Sequence, residues 1–152
     1  MIRPNDIVYI SGPMTGLPFF NYFKFYAWEG MIAKEYGCKV LNPARHQDGR
    51  PYQYYMDRAA EDLKQATAIV LLDNWKNSRG VKFELDIAFK YGNIRVIREN
   101  DLLVDIDARM SLRNPPPPII YDPCKKTLTQ DDDRPTLLPK EIMESIRKSF
   151  NA

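Results

Sequence analysis

Ala68-Ile69-Val70-Leu71-Leu72 is an unbroken apolar run that stops at Asp73-Asn74. A run this short and this uniformly apolar fits a strand buried on both faces. Upstream of it, Tyr55 to Ala66 carries a helical pattern. Downstream, a loop over Asp73 to Arg79 leads into a second helical stretch from about Gly80 to Tyr91, closed by Gly92, and then a strand, Ile94-Arg95-Val96-Ile97. Nearer the N-terminus, Ile7-Val8-Tyr9-Ile10-Ser11 is a β-branched and aromatic run that ends at Gly12-Pro13. From Asn21 to Tyr36, Phe23, Tyr26, Ala27, Gly30, Met31 and Ala33 recur at three- and four-residue spacing, with Gly37 as a stop signal. Cys38 to Leu41 is a further short strand ending at Asn42-Pro43, and a polar loop carries the chain to about Tyr54.

The resulting alternation of strand and helix predicts a doubly wound, flavodoxin- or Rossmann-like α/β fold with a mostly parallel sheet, because right-handed crossovers bury both of its sides. Ligands in such sheets bind outside the carboxyl ends of the strands, so the loops after Ser11, Leu41 and Leu72 are the places to expect function. Residues 1–100 form the predicted core. After Asn100 the pattern weakens. Pro115 to Pro118 forbid a helix, Asp131 to Asp133 are polar, and a last amphipathic helix is predicted from about Pro139 to Phe150. Residues 101–152 read as an arm packed on the core or on a second subunit, with a disordered tail as the alternative.

At 152 residues and 44% hydrophobic content the chain has the size of one domain with a single core. The formal net charge of +2 arises from 22 basic and 20 acidic residues mixed along the chain. There is no basic stripe of the kind that polymeric nucleic acid requires, so no such partner is expected. Cys38 and Cys124 lie far apart, outside any C-x-x-C pattern, and read as reduced thiols in the cytoplasm. No apolar run approaches the roughly 20 residues that span a bilayer, and the N-terminus lacks a signal pattern. With a lone histidine, His46, and no Cys or His cluster, no metal site is expected.

Three clusters fall on the predicted ligand edge. The first is Tyr9-Ile10-Ser11-Gly12-Pro13-Met14-Thr15-Gly16. Its hydroxyls and unobstructed backbone N–H groups suit a sugar or phosphate, although a glycine-rich segment after a strand also serves as a plain turn. The second is Glu61-Asp62, where Asp62 also fits a solvated helix face. The third is Asn77 to Glu84. Glu84 stands among Val81, Phe83, Leu85, Ile87 and Ala88, about one turn into a helix whose positive end favours an ionised carboxylate. Either an ion pair or a catalyst fits it. Ser78, followed by Gly80, offers a hydroxyl and helix N-terminal amides for a phosphate or an alcohol, and equally a simple N-cap.

The spacing Asp62-Leu63-x(4)-Ala68-Ile69-Val70, then Ser78-x-Gly80-x(3)-Glu84-Leu85-x(2)-Ala88, preceded by Tyr9-x-Ser11-Gly12, resembles the nucleoside 2-deoxyribosyltransferase superfamily. That superfamily includes the 2'-deoxynucleoside 5'-phosphate N-hydrolases. The opening Ile10 to Gly16, with Asn42-Pro43-Ala44 and Trp75-x-x-Ser78, looks like a branch common in phages and prophages. The resemblance covers about residues 6 to 98. It implies that Glu84 is the nucleophile attacking C1' of the sugar, that Asp62 orients or protonates the departing base, and that Tyr9 positions the nucleophile. The substrate-binding positions it points to are Ser11, Gly12, Met14, Thr15, Gly16, Asn42, Ser78 and Gly80, with no cofactor and no metal. Transferases of free nucleosides usually have an acid six residues before the nucleophile, where this chain has Ser78. A serine at a helix N-terminus can donate to a 5'-phosphate that a carboxylate would repel, so a nucleoside 5'-monophosphate is the expected substrate. Arg79 and Lys82 can add positive charge, although Lys82 also fits a solvated face. The bulky Phe19-Phe20 pair departs from the family pattern, and either stacks on the base or staples the first helix.

The expected function is therefore cleavage of the N-glycosidic bond of a (deoxy)nucleoside 5'-monophosphate through a glycosyl-Glu84 intermediate. The alternatives are base exchange by the same chemistry, and a non-catalytic protein that captures a nucleotide-derived signal. The resemblance also implies a homodimer or higher homo-oligomer in the cytoplasm, that of the host if the chain is phage-encoded.

Overall fold

The computed structural model describes residues 1–46, 49–115, 118–122 and 127–130. Four strands, β1 (Ile7–Ser11), β2 (Lys39–Leu41), β3 (Ala68–Leu71) and β4 (Arg95–Arg98), form one sheet in the order β2-β1-β3-β4 with every pairing parallel. Between them run α1 (Tyr22–Tyr36), α2 (Tyr52–Gln65) and α3 (Arg79–Tyr91), and α4 (Glu99–Arg113) follows β4 directly. The chain is a doubly wound α/β fold. It divides into two compact units, Met1–Asp105 and Ile106–Ala152. The first holds the sheet. The second includes the end of α4 and an antiparallel pair, β5 (Ile119–Asp122) and β6 (Thr127–Gln130). The predicted helix at Pro139–Phe150 lies outside the described residues, as does Cys124.

The strand order determines where a ligand can enter. From β1 the chain moves outward to β2 and then crosses back to β3, so the direction of winding reverses between β1 and β3. Right-handed crossovers then place α1 on one face of the sheet and α2 and α3 on the other. Side chains alternate along β1. Tyr9 packs with Ile69 and Leu71 of β3 against Ala59, Leu63 and Ala66 from α2 and its C-cap, and against Val81 and Leu85 of α3. Val8 and Ile10 are also fully buried and point to the opposite face, the α1 side.

The antiparallel pair β5–β6 is absent from the sequence reading, and two helices also differ from it. Helix α2 starts at Tyr52, three residues earlier than predicted, because Pro51 at φ −58° occupies the N-cap and its carbonyl accepts from Tyr54 N at 3.0 Å. Helix α4 replaces the irregular stretch expected after Asn100. Its first residue, Glu99, is buried and takes three donors: Trp28 Nε1 (2.7 Å), the Asp73 backbone N–H (2.6 Å) and Lys24 Nζ (3.0 Å). Tyr36 at the end of α1 donates to Asp105 at 2.5 Å. Sequence periodicity does not register anchors of this polar kind. No helix among the described residues is long and apolar enough to cross a membrane.

At the switch point β1 and β3 come into close contact. Leu72 N donates to Ser11 O at 2.9 Å, and a Cβ built on Gly12 would lie 2.8 Å from Leu72 Cβ. A Cβ cannot swing aside as the end of a long side chain can. Gly12→Ala is therefore expected to lower stability by about 1–3 kcal/mol, read as a reduced urea midpoint at unchanged slope.

Candidate active site

Positions of the same parity on β1 place Tyr9 and Ser11 on the α2/α3 side of the sheet, where α3 brings Glu84 and α2 brings Asp62. Tyr9 is fully buried, and its hydroxyl donates to Glu84 Oε1 at 2.7 Å. Ser11, also fully buried, donates its hydroxyl to Glu84 Oε2. Each carboxylate oxygen thus has its own donor, and both donors come from one strand. Ser11 was expected among the groups that meet a ligand; in the folded chain its hydroxyl is engaged by Glu84.

Burial dominates the electrostatics. Removal of the Glu84 carboxyl from water raises its pKa from the ordinary 4.5 to about 7, while the bonds from Ser11 and Tyr9 pull the other way. The helix-dipole argument for a fully ionised Glu84 is thereby outweighed, and near neutral pH the group is close to half protonated. Tyr9 is pushed well above 10, first by burial and then by Glu84 and Asp62, so it remains a neutral donor. Asp62, on α2, is buried at 8% exposure. No fully buried side-chain oxygen or nitrogen among the described residues is without a partner. The charge of Asp62 is felt by the Tyr9 hydroxyl, which places Asp62 on the same side of the sheet as the Tyr9–Glu84 pair.

Ser78 is the N-cap of α3, and its Oγ accepts from Val81 N at 3.3 Å. That cap bond uses an oxygen lone pair and not the hydroxyl proton. A Cβ on Gly80 would meet only Ser78 Oγ, at 3.7 Å, so packing does not require glycine there. The cap reading of Ser78 is fulfilled, with room beside it. Arg79 and Lys82 are both exposed.

The remaining candidates divide. Met14 is half-buried, and its carbonyl accepts from Leu17 N at 3.2 Å across a turn in which Thr15 is exposed and Gly16 sits at φ +82°. Asn42 is buried with both ends of its amide engaged inside the protein: Nδ2 donates to Glu29 at 2.8 Å, and Oδ1 accepts from Ala44 N at 2.9 Å. It secures the turn after β2. Beyond Gly16 lies a feature that sequence reading did not foresee. Phe19, Phe20 and Asn21 have φ of 49°, 51° and 62°, three consecutive residues in the left-handed region that L side chains disfavour. Asn21 Nδ2 ties this turn to Pro13 O at 3.0 Å. Phe19 (73% exposed) leans on Phe23, and Phe20 (54% exposed) leans on Tyr22. No group of three or more His, Cys, Asp or Glu side chains among the described residues could hold a metal ion.

Fold and site together define a doubly wound α/β protein with a buried, doubly hydrogen-bonded carboxylate at its topological switch point. Residues 6–97 match the family described as Domain of unknown function (DUF4406), and the chain belongs to that family. A search of curated proteins finds no match.

Burial of Glu84 links stability to pH. Because the folded pKa lies above the unfolded value, the folded protein holds a proton that the unfolded chain has lost between pH 4.5 and about 7. Its stabilising share is complete below 4.5 and lost as pH rises through about 7. Glu84→Gln, which has no charge to desolvate, is expected to be more stable than wild type at pH 8 by on the order of 3 kcal/mol. The difference should close by about pH 4, and thermal unfolding at the two pH values measures it.

Proposed function

We propose that the protein cleaves the N-glycosidic bond of a nucleoside 5'-monophosphate through a covalent glycosyl-Glu84 intermediate. The observation that carries this reading is Glu84 itself, a carboxylate buried at the ligand edge, with a donor on each oxygen and Asp62 close enough to act on the Tyr9 hydroxyl. The resemblance to the nucleoside 2-deoxyribosyltransferase superfamily assigns the same three residues, Tyr9, Asp62 and Glu84, to catalysis. It is this resemblance that supplies the substrate class.

In the first half-reaction a lone pair of Glu84 forms a bond to C1' as the C1'–N bond breaks. The departing base takes that electron pair and a proton from Asp62. In the second, water adds to C1' and gives its proton to Asp62, while the C1'–O bond electrons return to Glu84 as carboxylate. The two halves restore the enzyme without a cofactor. A second base in place of water gives exchange by the same steps. The Ser78 proton and the N-terminus of α3 suit a 5'-phosphate, and Gly80 leaves space for it.

Incubation with a panel of ribo- and deoxyribonucleoside 5'-monophosphates, followed by chromatography for free base, tests the reading. Release is expected from at least one member and should fall by about 10³-fold or more in Glu84→Ala. Because attack requires the ionised form, the rate should rise with pH through about 7 in the wild type. Tight binding without release would favour a protein that sequesters a nucleotide, and release of base only when a second base is supplied would favour exchange.

A further inference from the structure

The catalytic reading leaves one buried hydroxyl without a task. Ser11 is the last residue of β1, pairs with Leu71 of β3, and is held by its carbonyl to Leu72 N at 2.9 Å. Its side chain is wholly inside the protein, and its proton goes to Glu84 Oε2. Tyr9 lies two positions earlier on the same strand, which at about 3.3 Å per residue sets its backbone roughly 6–7 Å further from the ligand edge. On the glycosidase reading, the oxygen held by Ser11, the donor whose backbone is nearer that edge, is the one that attacks.

The two donors become inequivalent as soon as a covalent bond forms. If Oε2 bonds to C1', it turns into an ester oxygen and a poor acceptor, whereas Oε1 becomes a carbonyl and keeps its bond from Tyr9. Donation from Ser11 is then strong to the free carboxylate and weak to the ester. A group that favours the carboxylate over the ester opposes attack on C1' and assists departure from it, because each half-reaction is the reverse in kind of the other. Resting on the proposed glycosidase reading, we infer that Ser11 is a positioning residue that governs the lifetime of the glycosyl-enzyme by stabilising Glu84 as the leaving carboxylate in the second half-reaction. Ser11 exchanges no proton; its hydroxyl releases Oε2 as the ester forms and takes it back as the C1'–Oε2 bond breaks. The same bond is among the influences that hold down the pKa of Glu84, so its loss should also move the acid limb of the rate profile upward.

The test follows the covalent species directly. Wild type, Ser11→Ala and Ser11→Cys are mixed with the common ribo- and deoxyribonucleoside 5'-monophosphates, diluted, quenched at intervals, and examined by intact-protein mass spectrometry alongside free-base release. In Ser11→Ala the glycosyl adduct is expected to persist about tenfold longer than in wild type, the share of a charge-assisted hydrogen bond. In Ser11→Cys, with its weaker donor, the lifetime should fall between the two. At a pH well above 7, where Glu84 is ionised in all three proteins, formation of the adduct should not slow, whereas a merely structural defect would slow formation and breakdown together, and thermal unfolding reports that defect independently. An adduct seen only in Ser11→Ala also supports the inference. Equal lifetimes in wild type and Ser11→Ala overturn it while leaving the glycosidase reading intact. Base release with no adduct in any protein removes the covalent intermediate, and the role of Ser11 with it. Absence of both adduct and base from wild type overturns the proposed function itself.

Discussion

The burial of one carboxylate constrains the rest of the ligand edge. Taking Glu84 out of water costs several kcal/mol in its charged form, and the protein offsets part of this with hydroxyl donors from Tyr9 and Ser11. Both donors lie on β1, so the position of β1 against α3 must be held closely. That requirement explains the contact between Gly12 and Leu72, where a single added carbon would force the ends of β1 and β3 apart. It also explains why the core around Tyr9 is drawn from α2, β3 and α3 together: the same side chains that bury Tyr9 fix the helix that carries Glu84.

A second buried carboxylate organises the other side of the same edge. Glu99 collects Lys24 and Trp28 from α1 and the backbone N–H of Asp73 immediately after β3. Asp73 begins the loop that ends at the Ser78 cap, so Glu99 restrains the start of the segment whose end opens α3. The two acids differ in their partners. Glu99 has a buried ammonium within 3.0 Å, whereas Glu84 has only neutral donors and is left with a raised pKa. A paired acid is a fastening; an acid solvated only by hydroxyls retains unspent reactivity.

The sheet was legible because β1 and β3 are short, largely apolar runs and β2 and β4 carry β-branched residues between turn signals, and the α2 and α3 stretches because their apolar residues recur at helical spacing. Helix α4 was not, since its anchors Glu99 and Asp105 are polar groups satisfied by Trp28, Lys24 and Tyr36, partners that are distant in sequence. Of the site, the common face of Tyr9 and Ser11 follows from the period of a strand, but the helix that meets that face depends on crossover direction and strand order. Ser11 therefore read as a ligand hydroxyl, and Asn42 as a ligand amide, because a polar residue beside a predicted edge carries no sign of an internal partner. The left-handed turn at Phe19 to Asn21 was beyond reach for a different reason. Backbone in that region is disfavoured for the residues present, so local preference argues against what the Asn21 bond to Pro13 O helps to secure.

The electrostatics of Glu84 bear on which ligand the site can accept. A pKa of about 7 makes the fraction ionised sensitive to any charge brought close to it. An incoming phosphate would raise that pKa further and suppress the attacking form unless its charge were compensated near its own position. On the proposed reading, the N-terminus of α3 would supply such compensation through the positive end of its dipole and the hydroxyl of Ser78, on the same helix that carries Glu84. A carboxylate in place of Ser78 would add a negative charge there instead. On the proposed reading, the serine thus does more than admit the phosphate: it keeps the arrival of an anion from protonating the group that must attack.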